Sequence, residues 1–198
     1  MWLLAVALLL VTSPGCVAKY KAMAEAAQSE LSPRTIAQDD RHKIHLHEAL
    51  IAQHGLSGLT LSTYAFMSRG YVVGQVDNRE QAEAVLRTAR LVPGLRSVDG
   101  YLLIKESASS DSAIKTAASD LALKAQIESA VALAPGVVRS RVHIEVLNGS
   151  VLLLGVVSGD QERRNAEAAA AEVNGVRDVT DWLLLPEAPY MSIRSKVR

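Results

Sequence analysis

Residues 149–185, GSVLLLGVVSGDQERRNAEAAAAEVNGVRDVTDWLLL, decide the fold, because the chain carries a first version of them at residues 68–104, SRGYVVGQVDNREQAEAVLRTARLVPGLRSVDGYLLI. At a constant offset of 81 the two stretches align without a gap. Gly74 falls on Gly155, Val76 on Val157, Val92 on Val173 and Gly94 on Gly175. Arg96 falls on Arg177, Val98 on Val179, Tyr101 on Trp182 and Leu103 on Leu184. A unit of about 65 residues is too long for a solenoid repeat and suits a small folded module. Two copies of one module are therefore expected.

The local signals on either side fill in the module. In the second copy, Val142–Leu147 and Val151–Val157 flank Asn148-Gly149, the strongest short hairpin signal in the chain. Leu121–Ala134 places Leu123, Ile127 and Val131 on one helical face, and Pro135-Gly136 stops it. Ser158 and Gln161 form a capping pair, Ala166–Val173 is a second buried helix ended at Asn174-Gly175, and Val179–Leu185 is the closing strand. In the first copy, Arg41–His54 is the first helix, with Gly55 as its C-terminal cap. Strands follow at Leu59–Phe66 and Tyr71–Val76. Asp77 and Glu80 open the second helix, Pro93-Gly94 ends it, and Val98–Ile104 is the last strand. The order is α-β-β-α-β twice. This predicts an α+β fold in which each module has a mixed three-stranded sheet and two helices on one face.

The expected domains are 1–15 as a signal peptide, 16–39 as a tether, 40–104 as module one, 105–119 as a Ser/Ala-rich linker, 120–185 as module two and 186–198 as a basic tail. The 198 residues carry 21 basic and 21 acidic side chains, a balance that predicts no nucleic-acid field. Module one has seven basic residues against six acidic, net +1, and module two has six against nine, net −3. Nothing in the sequence assembles a nucleophile elbow or a paired-carboxylate site, so no enzyme, no cofactor and no small-molecule substrate are expected. His42 and His45 lie three apart on one helix, but no third metal ligand joins them, and no metal site is expected.

Residues 2–11, WLLAVALLLV, are too short for a bilayer span, which takes about 20 apolar residues, and match the core of a secretory signal. Cys16, the single cysteine, follows Ser13-Pro14-Gly15. This resembles the lipobox of bacterial lipoproteins, in which the cysteine receives lipid and becomes the new N-terminus. The alternatives are an ordinary cleaved signal with an incidental cysteine, and a short buried N-terminal helix. Val17 follows the cysteine, where retention at the inner membrane is signalled by Asp. The resemblance therefore implies the outer membrane of a Gram-negative bacterium, facing the periplasm.

Val151, Leu153, Gly155 and Val157, followed by Gly175, Val176 and Val179, resemble the BON domain of bacterial osmotically inducible and nodulation proteins. Module one is similar through Gly74, Val76, Gly94, Leu95 and Val98. A lipobox-like start before two such modules resembles the dual-BON outer-membrane lipoproteins. That resemblance implies phospholipid binding, a stress-linked role in envelope integrity and an association with outer-membrane assembly proteins. It places the lipid surface on the first helix of module two, around Leu121, Leu123 and Lys124. Charge points instead to Arg41 and Lys43, the most cationic short stretch of module one, and to Arg194, Lys196 and Arg198 in the tail. An anionic phospholipid surface is the expected partner. The alternative is a protein-interaction scaffold docking through the tail or through an open sheet face; Tyr101 and Trp182 mark such a face, for a module–module or a partner contact, with core packing as the competing reading.

Overall fold

The computed structural model describes residues 31–54, 60–105, 110–186 and 196–197. The signal, Cys16, Gly55, Arg194 and Arg198 lie outside the described residues. Module one consists of α1 (Pro33–His54), β1 (Thr60–Phe66), β2 (Arg69–Val76), α2 (Arg79–Arg90) and β3 (Ser97–Ile104). Module two consists of α3 (Ser110–Leu133), a short 3-10 turn (Arg139–Arg141), β4 (Val142–Leu147), β5 (Ser150–Val156), α4 (Asp160–Ala171) and β6 (Asp178–Leu184). In each, the hairpin is antiparallel and the strand after the second helix joins in parallel. A final strand, β7 (Lys196–Val197), adds to the edge of β3, so the first sheet has four strands where three were expected.

Both hairpins are closed in the same way. Met67, Ser68, Asn148 and Gly149 all have positive φ, as a two-residue hairpin turn requires. Asn148-Gly149 adopts it at little cost, whereas Met67 and Ser68 carry Cβ atoms that resist it. An aspartate on the first helix of each module braces the turn. Asp39 accepts the N–H groups of Met67 and Ser68 at 2.7 and 2.8 Å, and Asp120 accepts those of Asn148 and Gly149 at 2.6 and 2.9 Å. Asp39 and Asp120 are themselves 81 apart. The side chains that tie helix to sheet thus follow the repeat register.

The helix starts depart from expectation. α1 begins eight residues before Arg41, because Pro33 suits the first helical position and Ser32 accepts the Thr35 N–H at 3.2 Å. α3 begins at Ser110 and takes up most of the expected linker 105–119, whose Ala-rich run has the propensity to carry a helix. The cap of α2 is Asn78, one residue past the expected Asp77: it accepts the Gln81 N–H, and Gln81 accepts the Asp77 N–H. In module two Gly159 holds the cap position, and Glu162, equivalent to Gln81, accepts the Ser158 N–H at 2.8 Å. A Cβ at Gly155 would strike, at 1.9 Å, the Arg141 carbonyl of the neighbouring backbone.

Each module has its own aliphatic core between helices and sheet, around Leu46, Val72, Val85 and Leu102 in module one and Ile127, Val151, Leu153 and Ala166 in module two. A third core lies between the modules. Tyr71, Val73 and Tyr101 of the first sheet pack on Leu152, Leu154 and Trp182 of the second. These form three equivalent pairs under the offset of 81. Two equivalent pairs touch directly: the Tyr101 and Trp182 rings, 6.4 Å apart at 73°, and Tyr64, whose hydroxyl donates to Glu145. The sheets therefore meet about a pseudo-twofold axis, each covering the apolar face that the other leaves open. Fully burying one large side chain here contributes roughly 1.5–3 kcal/mol.

Candidate functional site

The first helix of module two has two opposed faces. Leu123, Ile127 and Val131 point into the core. On the opposite side Ile114, Ala117, Ala118, Leu121 and Ala125 are exposed, spaced three or four residues apart along three turns. Ile114 is 67% exposed and Leu121 70%. Large aliphatic side chains left this open, in line on one helix, form a ready-made apolar stripe for a partner surface. Lys115 is exposed beside it.

The expected lipid residues separate on this geometry. Leu121 stands on the stripe. Leu123 does not: it is 7% exposed and packs toward Gly175, so it is a core residue. Lys124 turns toward the module junction, where its ammonium sits 3.1 Å from Glu145 Oε2. Lys43, its repeat equivalent, lies 5.8 Å from the centre of the Tyr64 ring. The two lysines thus flank the Tyr64–Glu145 pair from opposite modules, Lys124 half-buried in its ion pair and Lys43 exposed. Burial and the adjoining Glu145 carboxylate raise the Tyr64 pKa, which keeps its hydroxyl a donor. Arg41 is exposed on α1.

Tyr101 and Trp182 are 1% and 3% exposed, between the sheets. The sheet face they mark is covered by the other module, so the contact they make is one between the modules. His42 is likewise buried, its ring packed against Gly94 at the position Leu123 fills in module two. Among the described residues no group of three or more His, Cys, Asp or Glu side chains is placed to hold a metal, and no helix is long and apolar enough to cross a membrane.

Ile114 was missed because its surroundings read as linker. The seven-residue spacing to Leu121 was the available signal. Asp99 was missed as well. It is 3% exposed, on the Tyr101 side of β3, and burial raises its pKa to about 6 against the pull of Arg69 and Arg90. Glu162 shows the opposite balance. Burial opposes its charge, but the Ser158 hydroxyl and N–H, the Val138 N–H and Arg141 hold its carboxyl below the usual range.

Residues 119–185 match the model of the BON domain, so the chain carries such a domain in its second half. A curated relative is osmotically-inducible protein Y of Escherichia coli (strain K12), 33% identical over 111 residues, covering 56% of this chain and 54% of that protein. The chain thus spans about half the length of the curated relative it matches. Two solved structures of CdsD, a structural protein of the type III secretion system of Chlamydia trachomatis, are also similar. One gives a TM-score of 0.31 at 13% identity, covering 72% of this chain and 91% of that chain; the other, of the C-terminal domain, gives 0.29 at 13% identity, covering 85% and 79%. At these TM-scores the likeness carries no argument.

Proposed function

We propose that this is a lipid-anchored, periplasm-facing protein whose α3 stripe inserts into an anionic phospholipid surface, supporting outer-membrane integrity in the manner of the dual-BON lipoproteins of the DolP type. The observation that carries the reading is the exposed line Ile114, Ala117, Ala118, Leu121, Ala125 on a helix whose other face is core. The BON match over residues 119–185 and the osmotically inducible relative support it. Cys16, as the lipid attachment point, would bring the stripe to the membrane, and Arg41 would add charge attraction of about 1 kcal/mol. Module one reads as a second BON domain because its elements repeat in the same order and register.

The test is flotation of the chain lacking residues 1–16 with vesicles containing anionic phospholipid. The parent is expected to float, and Ile114→Asp with Leu121→Asp to stay in the dense fraction with unchanged circular dichroism. A double variant that floats like its parent rejects the stripe. A parent that does not float even at low salt rejects lipid binding altogether.

A further inference from the structure

The outer edges of the two sheets are finished differently. In module two the edge strand β6 protects itself. The Leu183 N–H, pointing away from β5, donates to Asp181 Oδ1 at 2.8 Å, and Arg163 from α4 grips the other oxygen of that carboxylate. The side chain fills the position that the carbonyl of an added strand would take. Such guards are how proteins keep sheet edges from pairing with stray strands.

Module one has no counterpart to this guard. The residue equivalent to Asp181 is Gly100, and the residue equivalent to Arg163 is Ala82. Leu102 is the equivalent of Leu183, so its backbone faces outward in the same way. It is at Leu102 that a strand is found: β7 runs parallel to β3, with Lys196 opposite Tyr101 and Val197 opposite Leu102. One edge is thus closed by its own carboxylate, and its repeat equivalent receives a strand.

We propose that the outer edge of β3 is a strand-acceptor site, and that its ligand is an extended segment of this chain's own C-terminal tail. Main-chain hydrogen bonds carry such binding, and side chains on alternate residues tune it. In cis the tail is held at high effective concentration and excludes other strands. Release of the tail opens the edge.

The test uses the full purified chain with Lys196→Pro and Val197→Pro, which removes the one N–H of this pair that faces β3, that of Lys196, and breaks the strand around it, and a labelled peptide of residues 187–198. The peptide is expected to bind the variant saturably in fluorescence anisotropy and to leave the parent unbound. The Leu102 amide is expected to exchange with solvent at least tenfold faster in the variant than in the parent, and to slow again when the peptide binds. Equal exchange at Leu102 in parent and variant overturns the proposal. So does equal binding of a scrambled peptide of the same composition, which would reduce the effect to charge. Edge-to-edge dimers of the variant that take up no peptide overturn it too, since the edge would then prefer a second copy to the tail.

Discussion

Replacing Asp99 by Asn should stabilise the protein at neutral pH and leave it unchanged in acid. Asp99 lies opposite Tyr71 in the β2–β3 register, 3% exposed, and its Oδ2 has no hydrogen-bond partner. Its pKa stands at about 6, against an ordinary 3.8. The folded state therefore holds the proton more tightly than the unfolded chain. The stability this carries is present in full below the ordinary value and is lost as pH rises through about 6. At about 1.4 kcal/mol per tenfold change in acidity, the interval corresponds to at most about 3 kcal/mol. Asn carries no charge at any pH, and the attraction of Arg69 and Arg90 is already contained in that interval, so the expected gain at pH 7.5 is about 2–3 kcal/mol. Urea unfolding of parent and variant at pH 4.5, 6.0 and 7.5 measures it, because the difference between the two chains isolates this one carboxyl. Equal differences at all three pH values would refute the reasoning. So would a variant less stable than its parent at pH 7.5, since that would make the ionised carboxylate a net asset to Arg69.

Giving the first hairpin the turn of the second, Met67→Asn with Ser68→Gly, relieves two left-handed residues and should raise stability by about 1 kcal/mol in the same assay. Glu162→Ala leaves Arg141 and the Val138 and Ser158 N–H groups without their carboxylate and should cost about 3 kcal/mol at pH 7. Because the Glu162 pKa is lowered, its contribution is present above the ordinary carboxylate range and fades as pH falls through the depressed value, so the gap to the parent should narrow in acid. Leu123→Asp should abolish cooperative thermal unfolding, while Leu121→Asp, two residues away, should shift the midpoint by less than about 2 °C, which separates the core face from the stripe.

What was legible in the sequence was whatever the repeat stated twice. The ungapped offset, the Asn148-Gly149 turn and the glycine stops gave the element order, because each is a local backbone requirement. Helix starts were less legible. Ser32-Pro33 reads equally as a break and as a cap with Pro at the first position, and only contacts from Asp39 to a distant turn make it the latter. The Ser/Ala run before Asp120 has no periodicity of its own, so the helix that passes through it was hidden, and Ile114 with it. Leu121 and Leu123 are both Leu on the same helix, and the spacing of Leu123, Ile127 and Val131 already set Leu123 on the buried face; it was the family resemblance that drew it to the lipid surface as well. The meeting of the sheets was signalled only by two large aromatics at equivalent positions, a pattern that a third protein could have explained as well.

The pseudo-twofold junction is a homodimer's geometry within one chain: Tyr101 meets Trp182 and Tyr64 meets Glu145, each against the residue at its own repeat position. Tethering raises the local concentration of each half to about millimolar, so a bimolecular Kd of even ~10 µM keeps the halves together about 99% of the time. Fusion also frees the two copies to drift apart. In a homodimer every substitution is made on both sides of the axis, and a tyrosine must tolerate its own image. Here Glu145 faces Tyr64, Thr180 occupies the place of Asp99, and Leu123 that of His42. Each difference stands on one side of the axis alone, so one copy holds a buried acid and the other an exposed apolar helix.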